Sequence, residues 1–501
     1  MAKKFGFAVP PLSAEQKAQM AQMAQGYKKW TDERLCDWGI SRDAFRKGFV
    51  SGQPFRVTGT GSGSKKLQDG TQISGRLSLT VVVGEVPPLE LVVRPQHYET
   101  WMPAGGSNEK AAGNTLGISA HLLTKDGKAP PALVKAQQFK FELLDVSDEP
   151  GVCLNQPLQN ATRDPDLKFE SAKNPGMDVK DKTVITRAPD IAATAVISCF
   201  DWGAFGKLKV TAELEDGQQL IGYLAGKKGV TEILVPKRAK DSKVADAWKQ
   251  LRQIKTQSDQ DDSEKQAGNQ NDGDGLTLYE EYRGLIARGT HVSLNPNKKE
   301  IVVANPSGAA AQGALALFQK ASSGIEVVEV KDDELPQSRQ VNLNYGTANG
   351  GAQHGLRLVE AGLATGTSIT TYGRAIHVND PGGATQPAMK SPVECLELRL
   401  NAQYMAALID PTVTAASRKS IQDTMEPTIA HELAHGLGVQ HHGDNQPFFG
   451  VTAQTYNTTQ VFDENGQPIT QRPLVIEKNS VGFPQGDASG DVNCLMCYNA
   501  L

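Results

Sequence analysis

The stretch His431-Glu-Leu-Ala-His-Gly-Leu-Gly-Val-Gln-His441 decides how the second half of this chain is read. His431 and His435 are four residues apart. On a helix that spacing puts both imidazoles on one face, one turn from each other. Two ring nitrogens so placed can hold one Zn²⁺ at about 2.0–2.1 Å. Glu432 sits beside the first histidine, where its carboxylate can reach a water held by such an ion. Gly438 can take a positive φ and stop the helix, so that the chain turns back and His441 supplies a third ligand. Three protein nitrogens leave one coordination position open, which suits a catalytic rather than a structural zinc. Ala430, Leu433 and Ala434 are small or apolar and pack around the metal face. Pro427 fits a first helical turn, so the helix is expected to begin there.

A five-residue His-Glu-x-x-His match arises by chance too readily to fix a function. The extended form, with a glycine at the turn and a third histidine, is far more specific. Together with Asn493-Cys-Leu-Met-Cys-Tyr498 it resembles the metzincin zinc metallopeptidases, whose pattern includes a downstream methionine turn. The resemblance implies a metzincin-like α/β catalytic domain over 290–501, with one zinc on His431, His435 and His441. It implies an endopeptidase acting on protein or peptide substrates, with Glu432 as general base and a zinc-activated water as nucleophile. Met496 becomes an apolar floor beneath the histidines. Tyr498 matches the mobile, oxyanion-stabilising tyrosine of the astacin and serralysin branches; a buried core tyrosine is the alternative. The resemblance also implies an edge strand that lines the cleft and pairs with extended substrate, for which residues 368–378 are the candidate.

At 501 residues the chain is too long for one core and is expected to divide into domains. A net charge of −4 gives no basic footprint for nucleic acid. The 49 glycines and 27 prolines read as loop-rich with substantial β-structure. No apolar run approaches the ~18–20 residues that a membrane-spanning helix needs. Met1-Ala-Lys-Lys-Phe-Gly-Phe carries two lysines but no apolar signal-peptide core. Secretion or delivery outside the cell is nevertheless expected over a cytoplasmic place. Of six cysteines, Cys153 and Cys199 could bridge two strands, and Cys494 and Cys497 could pair locally or with Cys395; reduced, packed thiols are the equal alternative. Cys36 reads as a packed thiol.

The expected class is α+β and multidomain: an N-terminal immunoglobulin-like β-sandwich region, then the metzincin-like α/β domain. Residues 1–52 read as a helical segment, with Ser13 and Gln16 as a capping box. Residues 53–235 read as one or two sandwich units of short β-branched strands, with Lys125-Asp-Gly and Glu215-Asp-Gly as hairpin turns. His97 and His121 there are lone and non-ligating. The region binds a surface ligand or serves as a spacer. Residues 236–289 read as a linker, helical around 244–254 and charged and mobile over 258–266. Gln270-Asn-Asp-Gly-Asp-Gly-Leu-Thr-Leu-Tyr-Glu-Glu resembles an EF-hand-type calcium loop, with Asp272, Asp274 and Glu281 as candidate ligands for Ca²⁺. It lacks the first acidic ligand, Gln270 standing there, and the alternative is an acidic cap on a helix over 276–287. Beyond it, strands are expected at 300–305, 325–330, 341–345 and 368–378, and helices at 309–321 and 398–408, with His354 and His377 unassigned to zinc. A second function class is an adhesion protein with a working β-sandwich and a vestigial zinc site.

Overall fold

The computed structural model describes residues 40–51, 55–83, 87–132, 134–264, 273–322, 325–345, 352–361, 373–377, 395–437, 461–462 and 468–469. Most of the expected N-terminal helical segment, with Ser13 and Cys36, lies outside them. Helix α1 (Arg42–Ser51) leads into a ribbon of two antiparallel strands, β1 (Phe55–Lys66) and β2 (Gln72–Val83), in register from Phe55 opposite Val83 to Lys66 opposite Gln72. At its tip Asp69 Oδ1 accepts from Thr71 N at 2.9 Å, and Gly70 takes φ +86°. The ribbon pairs with no other described strand. The strands expected near 55 and 75 are therefore two arms of one hairpin and add nothing to the larger sheet.

Ten strands follow: β3 (Leu89–Pro95), β4 (Thr115–Thr124), β5 (Ala136–Leu144), β6 (Leu167–Phe169), β7 (Met177–Lys180), β8 (Thr183–Thr186), β9 (Ala192–Cys199), β10 (Gly206–Leu214), β11 (Gln219–Leu224) and β12 (Ile233–Val235). They join in the order β6-β9-β4-β3-β11-β10-β5-β8-β7, with β12 on β10. The β11–β3 pair is parallel, so the sheet is mixed. Strands β4 and β10 bury every second residue, as the two-residue period of a strand dictates. Leu116, Ile118 and Leu122 from one half pack with Phe139, Phe141, Leu208 and Val210 from the other in a single core. Both Asp-Gly turns form, Gly127 at φ +78° and Gly217 at φ +84°, but only the second joins a hairpin, β10 to β11; β4 and β5, on either side of the first, pair with other strands, which corrects the expected hairpin there. Cys153 and Cys199 are buried and free, which corrects the proposed bridge between them.

The connector holds helices α2 (Asp246–Leu251) and α3 (Leu278–Arg283) and a hairpin of β13 (Leu285–Ala287) and β14 (Thr290–Val292). The helix expected over 276–287 ends early because Gly284 leaves the helical region at φ +65°. Thr277 and Glu280 form a capping box at its start. Residues 258–264, expected to be mobile, are packed instead. Leu278 N donates to Asp261 O at 2.8 Å and Tyr279 N to Asp259 O at 3.1 Å, and Asp261 and Ser263 are buried. Here backbone donors stranded at the start of α3 recruit the charged stretch. Arg283 fixes the connector to the N-terminal sheet. Its Nε and Nη2 grip the Asp201 carboxylate at 2.6–3.1 Å, Nη2 also donates to Pro150 O at 2.6 Å, and Nη1 donates to Asn344 O. His291 stacks on Trp202 with ring centroids 3.6 Å apart.

The C-terminal part runs β15 (Lys299–Ala304), α4 (Ala309–Ala321), β16 (Ile325–Val330), β17 (Leu356–Ala361), β18 (Gly373–His377), β19 (Cys395–Asn401), α5 (Ala402–Ile409), α6 (Ala415–Gly436), β20 (Val461–Phe462) and β21 (Pro468–Ile469). Five strands form one sheet in the order β16-β15-β17-β19-β18. Its first four strands are mutually parallel, and β18 runs antiparallel to β19 at the edge. Three expectations are corrected. Residues 341–344 turn rather than extend, because Asn344 Nδ2 reaches Pro157 O at 2.8 Å and Tyr345 N returns to Asn342 O at 3.1 Å. Residues 398–401 belong to β19, with Leu398 and Leu400 buried and Arg399 exposed. Asn401 Oδ1 then accepts from Gln403 N at 3.1 Å and starts α5. Helix α6 begins at Ala415, not Pro427, because Thr414 caps it by accepting from Ser417 N at 3.2 Å. The whole is α+β and multidomain with mixed sheets.

Candidate metal centres

Helix α6 buries only its C-terminal half. Met425, Ile429, Ala430 and Leu433 enter one core with Ala314 and Phe318 of α4 and Leu398 and Leu400 of β19. These apolar positions recur at three- and four-residue spacing and fix the rotation of the helix. That rotation presents His431 and His435 together. Their Nε2 atoms lie 3.1 Å apart, and their rings stand at 89° with centroids 4.6 Å apart. Two nitrogens bound to one tetrahedral zinc at about 2.0–2.1 Å stand about 3.3–3.4 Å apart. The pair therefore fits a shared zinc by both donor type and spacing. His431 is buried and His435 half-buried, so the pair faces outward on one side.

Glu432 Oε2 accepts from Ala375 N on β18 at 2.6 Å. The Ala375 N–H thus points away from the β18–β19 ladder. Among the described residues no strand pairs with the other side of β18. The open edge of the sheet runs past the Glu432 carboxylate. This edge strand falls within residues 368–378. His441, Met496 and Tyr498, with Gly438, Cys494 and Cys497, lie outside the described residues.

A second constellation lies on the connector. Asp274, Glu281 and Glu300 each offer a carboxylate oxygen, and these oxygens all lie within 4.8 Å of one another. All three residues are buried. Asp272 lies outside the described residues. Gly275 makes the turn between the first two at φ +89°, where a side chain would strike the Gln353 amide. Asp274 Oδ1 accepts from Leu276 N at 3.0 Å, and Oδ2 from Glu300 N at 2.7 Å. Burial pushes the Asp274 carboxyl up. Burial, then the neighbouring Asp274, raises Glu300 to about 9. Burial and the same neighbours hold Glu281 well above the usual carboxylate range. Glu300 was not foreseen as a ligand. In Lys298-Lys-Glu300 it reads as the charged first residue of a strand, and nothing local signals that the connector folds back on it.

A surface cavity of about 640 Å³ lies against β7 and β8, lined by Lys140, Asn174, Met177, Asp178 and Arg187 among others. An Asp178–Arg187 ion pair at 2.7 Å already joins two of its charges, and it belongs to neither metal candidate.

No family model matches the chain, and no curated protein matches it. Among solved structures it is similar to a DUF4466 family protein from Parabacteroides merdae, 11% identical, covering 30% of this chain and 46% of that one, with a TM-score of 0.17. The match spans less than half of that protein, and so slight a likeness carries no argument about fold or function.

Proposed function

We propose that this chain is a zinc-dependent endopeptidase. In this reading residues 290–501 form a metzincin-like catalytic domain, and the strands before the connector form an immunoglobulin-like β-sandwich region. The observation that carries it is the 3.1 Å approach of His431 Nε2 to His435 Nε2. The hydrogen bond that holds the intervening Glu432 at the open edge of β18 supports it.

His431 and His435 would hold the ion, with His441 as third ligand by the motif. Zinc, when bound, supplies Lewis acidity, lowering the pKa of a coordinated water towards ~7 and polarising a carbonyl. Glu432 takes a proton from the attacking water and returns it to the leaving amine. The Ala375 N–H orients that carboxylate and keeps it beside the edge strand. An extended substrate segment adding to β18 would gain backbone hydrogen bonds with little demand on its sequence. Its scissile carbonyl would then pass Glu432. Met496 and Tyr498 take the floor and oxyanion roles that the resemblance gives them. The common core shared by both halves of the ten-stranded sheet supports the sandwich reading.

Metal analysis paired with a general protein-digestion assay tests the proposal, on wild type and Glu432→Ala. We expect about one zinc per chain in both, by the single-site stoichiometry of a catalytic zinc. Hydrolysis should fall at least ~100-fold in the variant, the usual size of a general-base contribution. A wild-type chain that takes up no zinc on reconstitution overturns the proposal, as does a variant as active as wild type.

A further inference from the structure

We propose that Asp274, Glu281 and Glu300 form a calcium site that pins the connector to the first strand of the C-terminal sheet. The proposal does not depend on the zinc reading. The three residues come from separate places: a turn, helix α3 and the start of β15. Their oxygens nevertheless converge to within 4.8 Å. At 3–6% exposure they lie out of reach of bulk water.

What they lack is countercharge. Among the described residues no lysine or arginine forms an ion pair with any of the three. The nearby Lys299 ammonium instead donates to Gly273 O at 3.4 Å. Glu300 Oε1 accepts from Asn295 N, but Oε2 is buried with no N–H or hydroxyl donor, and the Glu300 carboxyl can bond the Asp274 carboxyl only when one of the two carries a proton. Glu264 Oε1 is likewise without a partner, and burial, then the charge of Asp274, raises its carboxyl. A buried carboxylate oxygen with nothing to accept from is costly. One such oxygen on Glu300, with the buried Asp274 and Glu281 carboxyls converging beside it, is explained by a cation at that point.

The donors are all oxygens, which selects a hard cation over zinc. Calcium accepts six to eight oxygens at about 2.3–2.6 Å, so two of its ligands stand at most about 4.6–5.2 Å apart. The observed spacing lies within that span. Magnesium binds at about 2.0–2.1 Å and gives up its waters reluctantly, which disfavours a site so closed. The Glu300 amide already docks on Asp274 at 2.7 Å. An ion there would lock that contact and hold β15, which pairs with both β16 and β17.

The test uses the full chain stripped of metal, titrated with calcium and melted with and without it. We expect calcium uptake with a rise of several degrees in Tm. At a free calcium one hundred times Kd the folding equilibrium should move about 100-fold. Glu281→Gln and Glu300→Gln should abolish both uptake and shift. Without calcium these variants should melt no lower than calcium-free wild type, because each removes a buried carboxyl that folding must either leave charged beside Asp274 or protonate. His435→Ala, altered at the other centre, should keep the calcium shift. No uptake and no shift in wild type at about 10 mM calcium, above the weakest extracellular sites, overturns the proposal, and so does undiminished uptake by the two variants. If a variant does not fold, the wild-type melt decides: a rise supports the site and its absence overturns it.

Discussion

Arg283→Met is the substitution whose cost the structure specifies most closely. Arg283 and Asp201 are both fully buried. The guanidinium meets the carboxylate through Nε at 3.0 and 3.1 Å and Nη2 at 2.6 Å, and it also supplies Pro150 O and Asn344 O. Methionine fills much of the volume but leaves Asp201 without its cation. Removing one partner of a buried pair costs about 3–5 kcal/mol. The two carbonyls that lose donors add about 1 kcal/mol each. We therefore expect a loss of about 5–7 kcal/mol, a large share of the ~5–15 kcal/mol by which a domain is stable. Urea unfolding followed by tryptophan fluorescence should report it, since Trp202 follows Asp201 directly. Adding Asp201→Asn should recover at least ~2 kcal/mol, because it removes the stranded charge and keeps an oxygen for Gly203 N, now 2.6 Å from Asp201 Oδ1. A cost below ~1 kcal/mol for the single variant, or no recovery in the double one, would refute the reasoning.

Other outcomes follow from the same geometry. Ala375→Pro removes the N–H that holds Glu432 without breaking a ladder bond. A hydrogen bond to a charged group is worth about 1.5–3 kcal/mol, so kcat/KM should drop roughly 10–100-fold with zinc content unchanged; unaltered kcat/KM would contradict the role given to that contact. His291 donates through Nε2 to Arg283 O at 2.8 Å, and burial pushes its pKa down to about 4. The unfolded chain binds this proton near pH 6.5 and the folded chain does not, so the stability held above that pH is lost as pH falls from about 6.5 to 4. The full loss is roughly 3 kcal/mol. Melts of His291→Gln across that range should show a correspondingly smaller decline. Cys153 and Cys199 are buried, with burial pushing the Cys153 thiol up to about 11 and the Cys199 thiol well above its ordinary value. Both should resist a thiol reagent in the folded chain and react in denaturant; fast labelling of either in the native state would contradict their placement.

Legibility tracked how local the deciding interactions are. Helix α4 and strand β16 were readable to the residue, because each carries its own period and a break on either side. Strand β19 was misread because Leu396, Leu398 and Leu400 alternate only briefly before Ala402 opens a true helix. The apolar residues of the two elements merge into one run, and only the cap at Asn401 separates them. Pro427 drew the start of α6 too far along, although proline at that point only deprives Asp423 O of one helical donor. The true signal was Thr414 with Ser417, a modest side-chain cap. At the metal candidates the histidine spacing is helical geometry written directly into sequence. The carboxylate cluster is half legible: Asp274 and Glu281 stand at a recognisable spacing, while Glu300 joins them through a fold-back that no local pattern encodes.

The two candidate centres differ in donor chemistry, and that difference makes them separable. A pair of imidazole nitrogens favours zinc and offers calcium almost nothing, whereas three carboxylates favour a hard cation. They also sit on different parts of the C-terminal sheet. The histidines ride on α6, whose buried half packs on β18 and β19 at one edge. Glu300 lies near the start of β15, with β17 between that strand and β19. An ion at the acidic cluster would act on the histidines only through the sheet, by holding the strands in register. Removing calcium should therefore lower the temperature at which hydrolysis is lost more than it lowers the rate well below that temperature. A rate that falls in proportion to calcium occupancy in chains that remain fully folded would mean that the cluster acts on the reaction itself, and the separation argued from donor chemistry would be wrong.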